Sequence, residues 1–201
     1  MIKDYKEFLN FIQNLDHKPT LLLHTCCAPC STHTINVLKD YFDITIFYSN
    51  SNIAPEIEFR KRLDEQIRYA KKFNINVIED TYNFNEYLDK IKGHEHDGEK
   101  SKRCYLCYEL RMEHTAKLAK EKGFEYFTTS LSISPYKVER WINEIGYKLE
   151  SIYGINYLYS NFKKDNGYKD SIKISNEEGM YRQDYCGCPF SKMEREERLK
   201  G

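Results

Sequence analysis

The feature that most limits how this chain can fold is the alternation of short apolar runs with amphipathic stretches. Thr20–His24 (TLLLH) reads as a buried strand, followed by Phe42–Tyr48, Asn76–Glu79, Tyr126–Leu131 and Ile155–Tyr159. Between them lie helical stretches: one running to about Lys39, a long one opened by Pro55, then Phe84–Ile91, about Cys104–Lys122 closed by Gly123, and Val138–Ser151. This pattern predicts an α/β fold, a parallel sheet with helices on both faces, because each crossover lays a helix over the sheet. One domain over 1–201 is expected: a leading helix in 1–18, an α/β core over 19–160, and a C-terminal extension over 161–201 that closes the site. Past Ser160 the alternation ends in a polar, glycine-punctuated run, then YRQDYCGCPF and a charged helix.

Composition narrows the class. Of 201 residues, 40% are hydrophobic, enough for a core, and the formal net charge is zero, which gives no support for a dedicated nucleic-acid binder. No run approaches the roughly 20 apolar residues that span a bilayer. The leading residues MIKDYKEFLNFIQNLDHK carry acids throughout, unlike a secretory signal. A cytoplasmic setting is expected, where thiols stay reduced. Seven cysteines, an odd number, then call for something other than disulfides.

They fall into three groups that use up the supply: Cys26, Cys27 and Cys30 (CCAPC), Cys104 and Cys107 (CYLC), Cys186 and Cys188 (CGC). Thiolates two or three residues apart can turn toward one metal or cluster. A structural zinc site uses four sulfurs and leaves three over, whereas seven suit a cubane cluster plus a second function; thiolate ligation fits both zinc and iron–sulfur. In open α/β sheets the binding crevice lies beyond the carboxyl ends of the strands. His24-Thr25-Cys26-Cys27 and Ser130–Lys137 (SLSISPYK) therefore belong on one edge. ATP-pyrophosphatase-like enzymes carry a Gly/Ser-rich phosphate cradle after the first strand; HTCCAPC has no glycine, which disfavours a nucleotide-activating tRNA thiolase despite the similar sheet expected.

HTCCAPC, SNSNIAPEIEFRKR, KSKRCYLCYELRMEHTA, TTSLSISPYK, NFKKDNGY and YRQDYCGC stand in the order found in epoxyqueuosine reductases of the QueH type, and the chain resembles that family from about Leu21 to Ser191. One departure is Ser51, where the family more often has proline. The resemblance implies a Rossmann-like fold related to the adenine-nucleotide hydrolases. It implies reductive removal of the epoxide oxygen of epoxyqueuosine at the tRNA wobble position, independent of cobalamin. A 4Fe-4S cluster, an additional iron ion, tRNA with a queuosine-type anticodon and a low-potential electron donor come with it. Position and C-x-x-C spacing suggest Cys26, Cys27, Cys104 and Cys107 for the cluster, with Cys30, Cys186 and Cys188 serving the second metal. For Cys186 and Cys188 a redox-active disulfide competes with that role.

Around these motifs, Asp184 is a candidate ligand or proton donor, set against an ordinary surface aspartate. His24 is expected to be a satisfied core histidine. Arg103, Arg111, Lys137 and Arg182 are each expected to be solvated, together forming a positive rim that meets phosphates. Tyr105, Tyr108, Tyr136, Tyr181 and Tyr185 are candidate stacking partners for an extruded base. His94, His96 and Asp97 are expected in a mobile loop. Two rivals remain: a dithiol–disulfide oxidoreductase, and a zinc-stabilised RNA-binding module.

Overall fold

The structure, a computed structural model, describes residues 1–200. Five parallel strands, β1 (Thr20–His24), β2 (Asp43–Tyr48), β3 (Asn76–Glu79), β4 (Tyr126–Thr129) and β5 (Asn156–Tyr157), form a sheet of order β3-β2-β1-β4-β5. The helices are α1 (Tyr5–Gln13), α2 (Ala28–Leu38), α3 (Glu56–Lys71), α4 (Phe84–Ile91), α5 (Lys102–Glu121), α6 (Glu139–Tyr153), α7 (Gly167–Glu177) and α8 (Pro189–Arg198). None is long and apolar enough to cross a membrane.

Central β1 explains its own sequence. Successive side chains of a strand point to opposite faces. Leu21 and Leu23 enter the core under α1, α2 and α3, while Leu22 enters the one under α5 and α6. All three are fully buried, and each such leucine contributes about 1.5–3 kcal/mol of transfer free energy. The chain steps outward from β1 to β2 and β3, then returns to place β4 on β1's other side. That reversal opens a crevice at the carboxyl ends of β1 and β4, where His24 lies beside Thr129.

Three local details differ from the sequence expectation. β4 stops at Thr129, whose hydroxyl accepts from the Leu131 amide at 3.1 Å and turns the chain into a 3-10 turn over Ser130–Ile133. β5 has two residues instead of five. The polar run after Ser160 contains α7, which packs on α2 through buried Gly167, Ser171 and Ser175. Small polar residues on that face leave no apolar stripe to read.

Candidate metal centre and active site

Cys26, Cys27 and Cys30 come from the turn joining β1 to α2. Cys27 is the N-cap of α2 and Pro29 sits in its first turn, where a missing N–H costs nothing. The Thr25 amide donates to the Phe47 carbonyl at 3.1 Å, and the Thr25 carbonyl accepts from Asn50 at 2.8 Å, fixing the turn. The three sulfurs lie within 4.8 Å of one another, Cys26 and Cys27 at 3.9 Å. Hydrogen bonds from Cys27 and Cys30 hold the Cys26 thiol well below its ordinary range; burial opposes this, and Lys137 and Arg111 add to it. Burial pushes Cys27 up to about 12.

Cys104 and Cys107 lie in the first turns of α5, three residues apart and so on neighbouring faces. Cys186 and Cys188 arrive on the tail; Cys188 is the N-cap of α8 and its sulfur accepts from the Ser191 amide at 3.3 Å. Buried arginines of α3 and α5 hold the tail in place. Arg62 of α3 pairs with Glu58 at 2.7 Å and donates to the Cys186 carbonyl at 3.2 Å. Arg103 donates to Glu194 of α8 at 2.5 Å and to the Glu95 carbonyl at 2.8 Å. Gly187 has φ of +115°, and a Cβ there would meet Arg62 Nη1 and Ile53 Cγ1 at 2.9 Å, so the tail backbone approaches closely only because this residue is glycine.

Arg103 and Arg111 correct the sequence expectation of solvated cations: each is 2% exposed, as is Arg62. Arg111 donates to Asn50 Oδ1 at 3.1 Å and to the Cys107 carbonyl at 3.3 Å, with no carboxylate partner among the described residues. One nitrogen on each arginine is unpartnered: Nη2 of Arg62, Nε of Arg103 and Nη2 of Arg111. Burial works against the charge of Arg111, but Cys107, Cys186 and Cys26 raise its pKa above the ordinary value. Lys137 is likewise raised by Cys186, Cys26 and Cys30 against the cost of burial. Buried cations facing thiols suit an anionic thiolate centre. As bare thiols, Cys107 and Cys188 are pushed up by burial to about 12 and about 11, so a metal must displace protons to bind.

Two cavities meet here. The smaller, about 40 Å³, is lined by Cys104, Cys107, Cys186 and Cys188 with Asn52, Tyr87 and Tyr108. The larger, about 590 Å³, is lined by Cys26, Cys27, Cys30 and Cys186, by Tyr168 and Ser171 of α7, and by Arg182, Asp184, Arg195 and Arg198. Glu99, Tyr136, Lys137 and Cys186 line both and mark the passage between them. All seven cysteines are free thiols on these walls.

The other candidates separate clearly. Asp184 lines the larger cavity, exposed and paired with Arg195. His24 is buried and satisfied: Nε2 donates to the Ser49 carbonyl at 3.0 Å and Nδ1 accepts from Thr129 Oγ1 at 2.7 Å. Burial brings its pKa down to about 3, keeping it neutral. Arg182 donates to Ser175 Oγ at 2.5 Å on the cavity wall. Tyr105 bonds Glu144, Tyr181 bonds Glu58, Tyr185 lies under Arg62 and Tyr108 is buried, whereas Tyr136 is 64% exposed. His94 pairs with Asp97 at 2.9 Å and His96 packs edge-on to Phe190, so neither reaches the thiols.

Two features escaped the sequence reading. Asn52 carried no charge or thiol to mark it. His114 of α5 is gripped by Asp80 at 2.8 Å and Glu86 at 2.9 Å, partners scattered through the sequence, and its pKa is raised chiefly by the Asp80 hydrogen bond.

A switch-point crevice walled by seven thiols and buried cations defines a Rossmann-like protein with a thiolate-rich centre. The chain belongs to the family described as "Epoxyqueuosine reductase QueH", whose profile matches residues 21–194. It is similar to epoxyqueuosine reductase QueH of Streptococcus pyogenes serotype M1, 39% identical over 180 residues, covering 87% of this chain and 71% of that protein. Similar relatives are those of Staphylococcus aureus, 40% identical over 88% of this chain and 77% of the relative, and Thermotoga maritima, 38% identical over 89% and 93%. Among solved structures, the U34-tRNA thiolase NcsA from Methanococcus maripaludis with its 4Fe-4S cluster matches with a TM-score of 0.55 at 10% identity, covering 92% of this chain and 67% of that one. That likeness establishes the sheet architecture alone.

Proposed function

We propose that the protein is a tRNA epoxyqueuosine reductase, converting epoxyqueuosine at the wobble position to queuosine. The observation that carries this reading is the family match over residues 21–194, which takes in all seven cysteines of the crevice. The larger cavity is of nucleoside size and would take the modified nucleoside, its epoxide end pointing to the passage lined by Cys186 and Lys137. Exposed Tyr136 at that passage would stack on a base. Arg182, Arg195 and Arg198 would meet phosphates.

Cys26, Cys27, Cys104 and Cys107 are the proposed ligands of a 4Fe-4S cluster, with an additional iron ion served by Cys30, Cys186, Cys188 and Asp184. Cys104 packs into the same apolar cluster as Cys26 and Cys27, and Arg111 faces sulfurs of both segments. A second split, Cys26–Cys27–Cys30 against the other four, is favoured by the 4.8 Å sulfur triplet and by the cysteines lining the smaller cavity. When bound, the metal group supplies single electrons and a Lewis acid for the epoxide oxygen.

The reaction breaks both C–O bonds of the epoxide, forms a C=C bond and releases the oxygen as water, using two electrons and two protons. In the competing role, in which Cys186 and Cys188 hold no metal, they deliver both as a dithiol and end as a disulfide, which a low-potential donor reduces again in two one-electron steps. Lys137 stays protonated beside them and would stabilise negative charge growing on the oxygen.

Incubating the reconstituted protein with epoxyqueuosine-containing tRNA and a reductant, followed by nucleoside mass spectrometry, tests the function. Loss of one oxygen mass is expected; an unchanged nucleoside refutes it. Iron and sulfide assays on single Cys→Ala variants separate the two splits: Cys30→Ala loses cluster sulfide only if the triplet holds the cluster, Cys186→Ala only if the other four do, and neither does so under the first split. Full activity with zinc alone would sink the iron assignment.

A further inference from the structure

The loop after β2 is tied down at every residue but one. Asn50 bridges the Thr25 carbonyl and Arg111, Ser51 Oγ accepts from the Asn83 amide at 3.3 Å, and the Ile53 carbonyl accepts from Tyr82 at 2.9 Å. The Ala54 amide donates to the Gly187 carbonyl at 3.2 Å. Between these anchors sits Asn52, 1% exposed, with neither Nδ2 nor Oδ1 hydrogen-bonded. A buried carboxamide with donor and acceptor both unmet is a costly arrangement that a water, an ion or a ligand can complete; Gln66 is equally unmet but lines neither cavity, whereas Asn52 does.

Asn52 lines the smaller cavity among Cys104, Cys107, Cys186 and Cys188. That space, about 40 Å³, is small beside the larger cavity and admits about three waters, each needing roughly 10–15 Å³ on this measure. Sulfur is a weak hydrogen-bond partner, so the thiols do not account for the amide. An oxygen atom does. An epoxide oxygen only accepts hydrogen bonds, and the water it becomes both donates and accepts, which an amide can match throughout.

We propose that Asn52 is a catalytic residue that holds the oxygen leaving the substrate: Nδ2–H donates to the epoxide oxygen, and Oδ1 accepts from the water formed. This rests on the epoxide-reduction reading. Asn52 supplies neither proton nor electron; two of each come from the Cys186–Cys188 dithiol, which ends as a disulfide, and the oxygen departs as water when the C=C bond forms.

The test compares wild type with Asn52→Leu and Asn52→Asp by iron and sulfide content, thermal melting, and kcat and KM for epoxyqueuosine-containing tRNA. Asn52→Leu removes the unmet amide, so it is expected to melt at or above wild type and to keep its iron. Its kcat falls ~100- to 1,000-fold, as for loss of one oxyanion donor, while KM stays within ~3-fold. Asn52→Asp keeps the shape but loses the donor, and repeats the kcat loss. A Leu variant that melts lower and loses iron in step with activity shows a structural amide and overturns the proposal. So does an Asp or Leu variant with wild-type kcat. A wild type that leaves the epoxide intact removes the functional reading and this inference together; an active wild type beside active variants removes the inference alone.

Discussion

The two cysteine-bearing walls of the crevice are assembled by different means. Cys26, Cys27 and Cys30 sit on one turn, and a strand end plus a helix N-cap bring their sulfurs within 4.8 Å, steadied only by the neighbouring end of β2. The opposite wall joins Cys104 and Cys107 on α5 to Cys186 and Cys188 on the tail; buried Arg103 makes that junction, and Arg62 ties the tail to α3. A local wall is as robust as the sheet behind it. A wall made by docking depends on buried charges that join separate segments, and can open while the sheet stays folded.

The largest test of this contrast is Arg62→Met. It leaves partly buried Glu58 with only the Tyr181 hydroxyl and removes the donor to the Cys186 carbonyl. Losing one partner of a buried pair costs roughly 3–5 kcal/mol. Denaturant titration should show that loss, and alkylation mapped by mass spectrometry should show Cys186 and Cys188 reacting faster with Cys26, Cys27 and Cys30 unchanged. Equal acceleration at all seven would erase the distinction. Gly187→Ala forces a positive φ and a 2.9 Å contact with Arg62; a cost of about 1–3 kcal/mol is expected, with the same selective exposure of the tail cysteines.

Tyr136 stands where the two cavities meet. Stacking on an aromatic ring is worth about 1–3 kcal/mol per base, so Tyr136→Ala should weaken tRNA binding by at least ~5-fold, with Tyr136→Phe near wild type. Equal affinities for Ala and Phe variants, by filter binding, would remove the stacking role.

The smallest effect concerns pH. His114, donating to Asp80 and Glu86, ties α5 to the end of β3 and to α4. Its folded pKa lies above the ordinary 6.5. Its contribution is complete below pH 6.5 and fades as pH rises through the folded value. Urea midpoints should therefore decline across that alkaline window, and His114→Gln should flatten the decline. A variant with the wild-type slope would place the titration elsewhere.

How much of this was legible before the structure depends on whether the signal is local. TLLLH reads as a strand because an apolar run of that length buries on both faces, and the short Asn76–Glu79 run marks an edge strand; their limits agree with β1 and β3. Phe84–Ile91 likewise agrees with α4. The motif order carried the family, since cysteine groups and their neighbours are covalent facts of the chain. α7 was not legible, because Gly167, Ser171 and Ser175 bury a small polar face against α2. Nor were Arg62, Arg103 and Arg111 legible as buried cations: local partners such as Glu58 and the Cys107 carbonyl occur equally on exposed helices, and the Cys186 carbonyl, Glu194 and Asn50 are brought by distant segments.

By itself, then, the sequence determined an α/β sheet, a switch-point crevice and seven thiols in three groups, all properties written at short range. Only the tertiary structure decided which thiols share a wall, that one cavity is of nucleoside size and the other of water size, and that Asn52 faces the latter with its hydrogen bonds unmet. Those are properties of distance and burial, and both arise only when segments remote in the chain pack together.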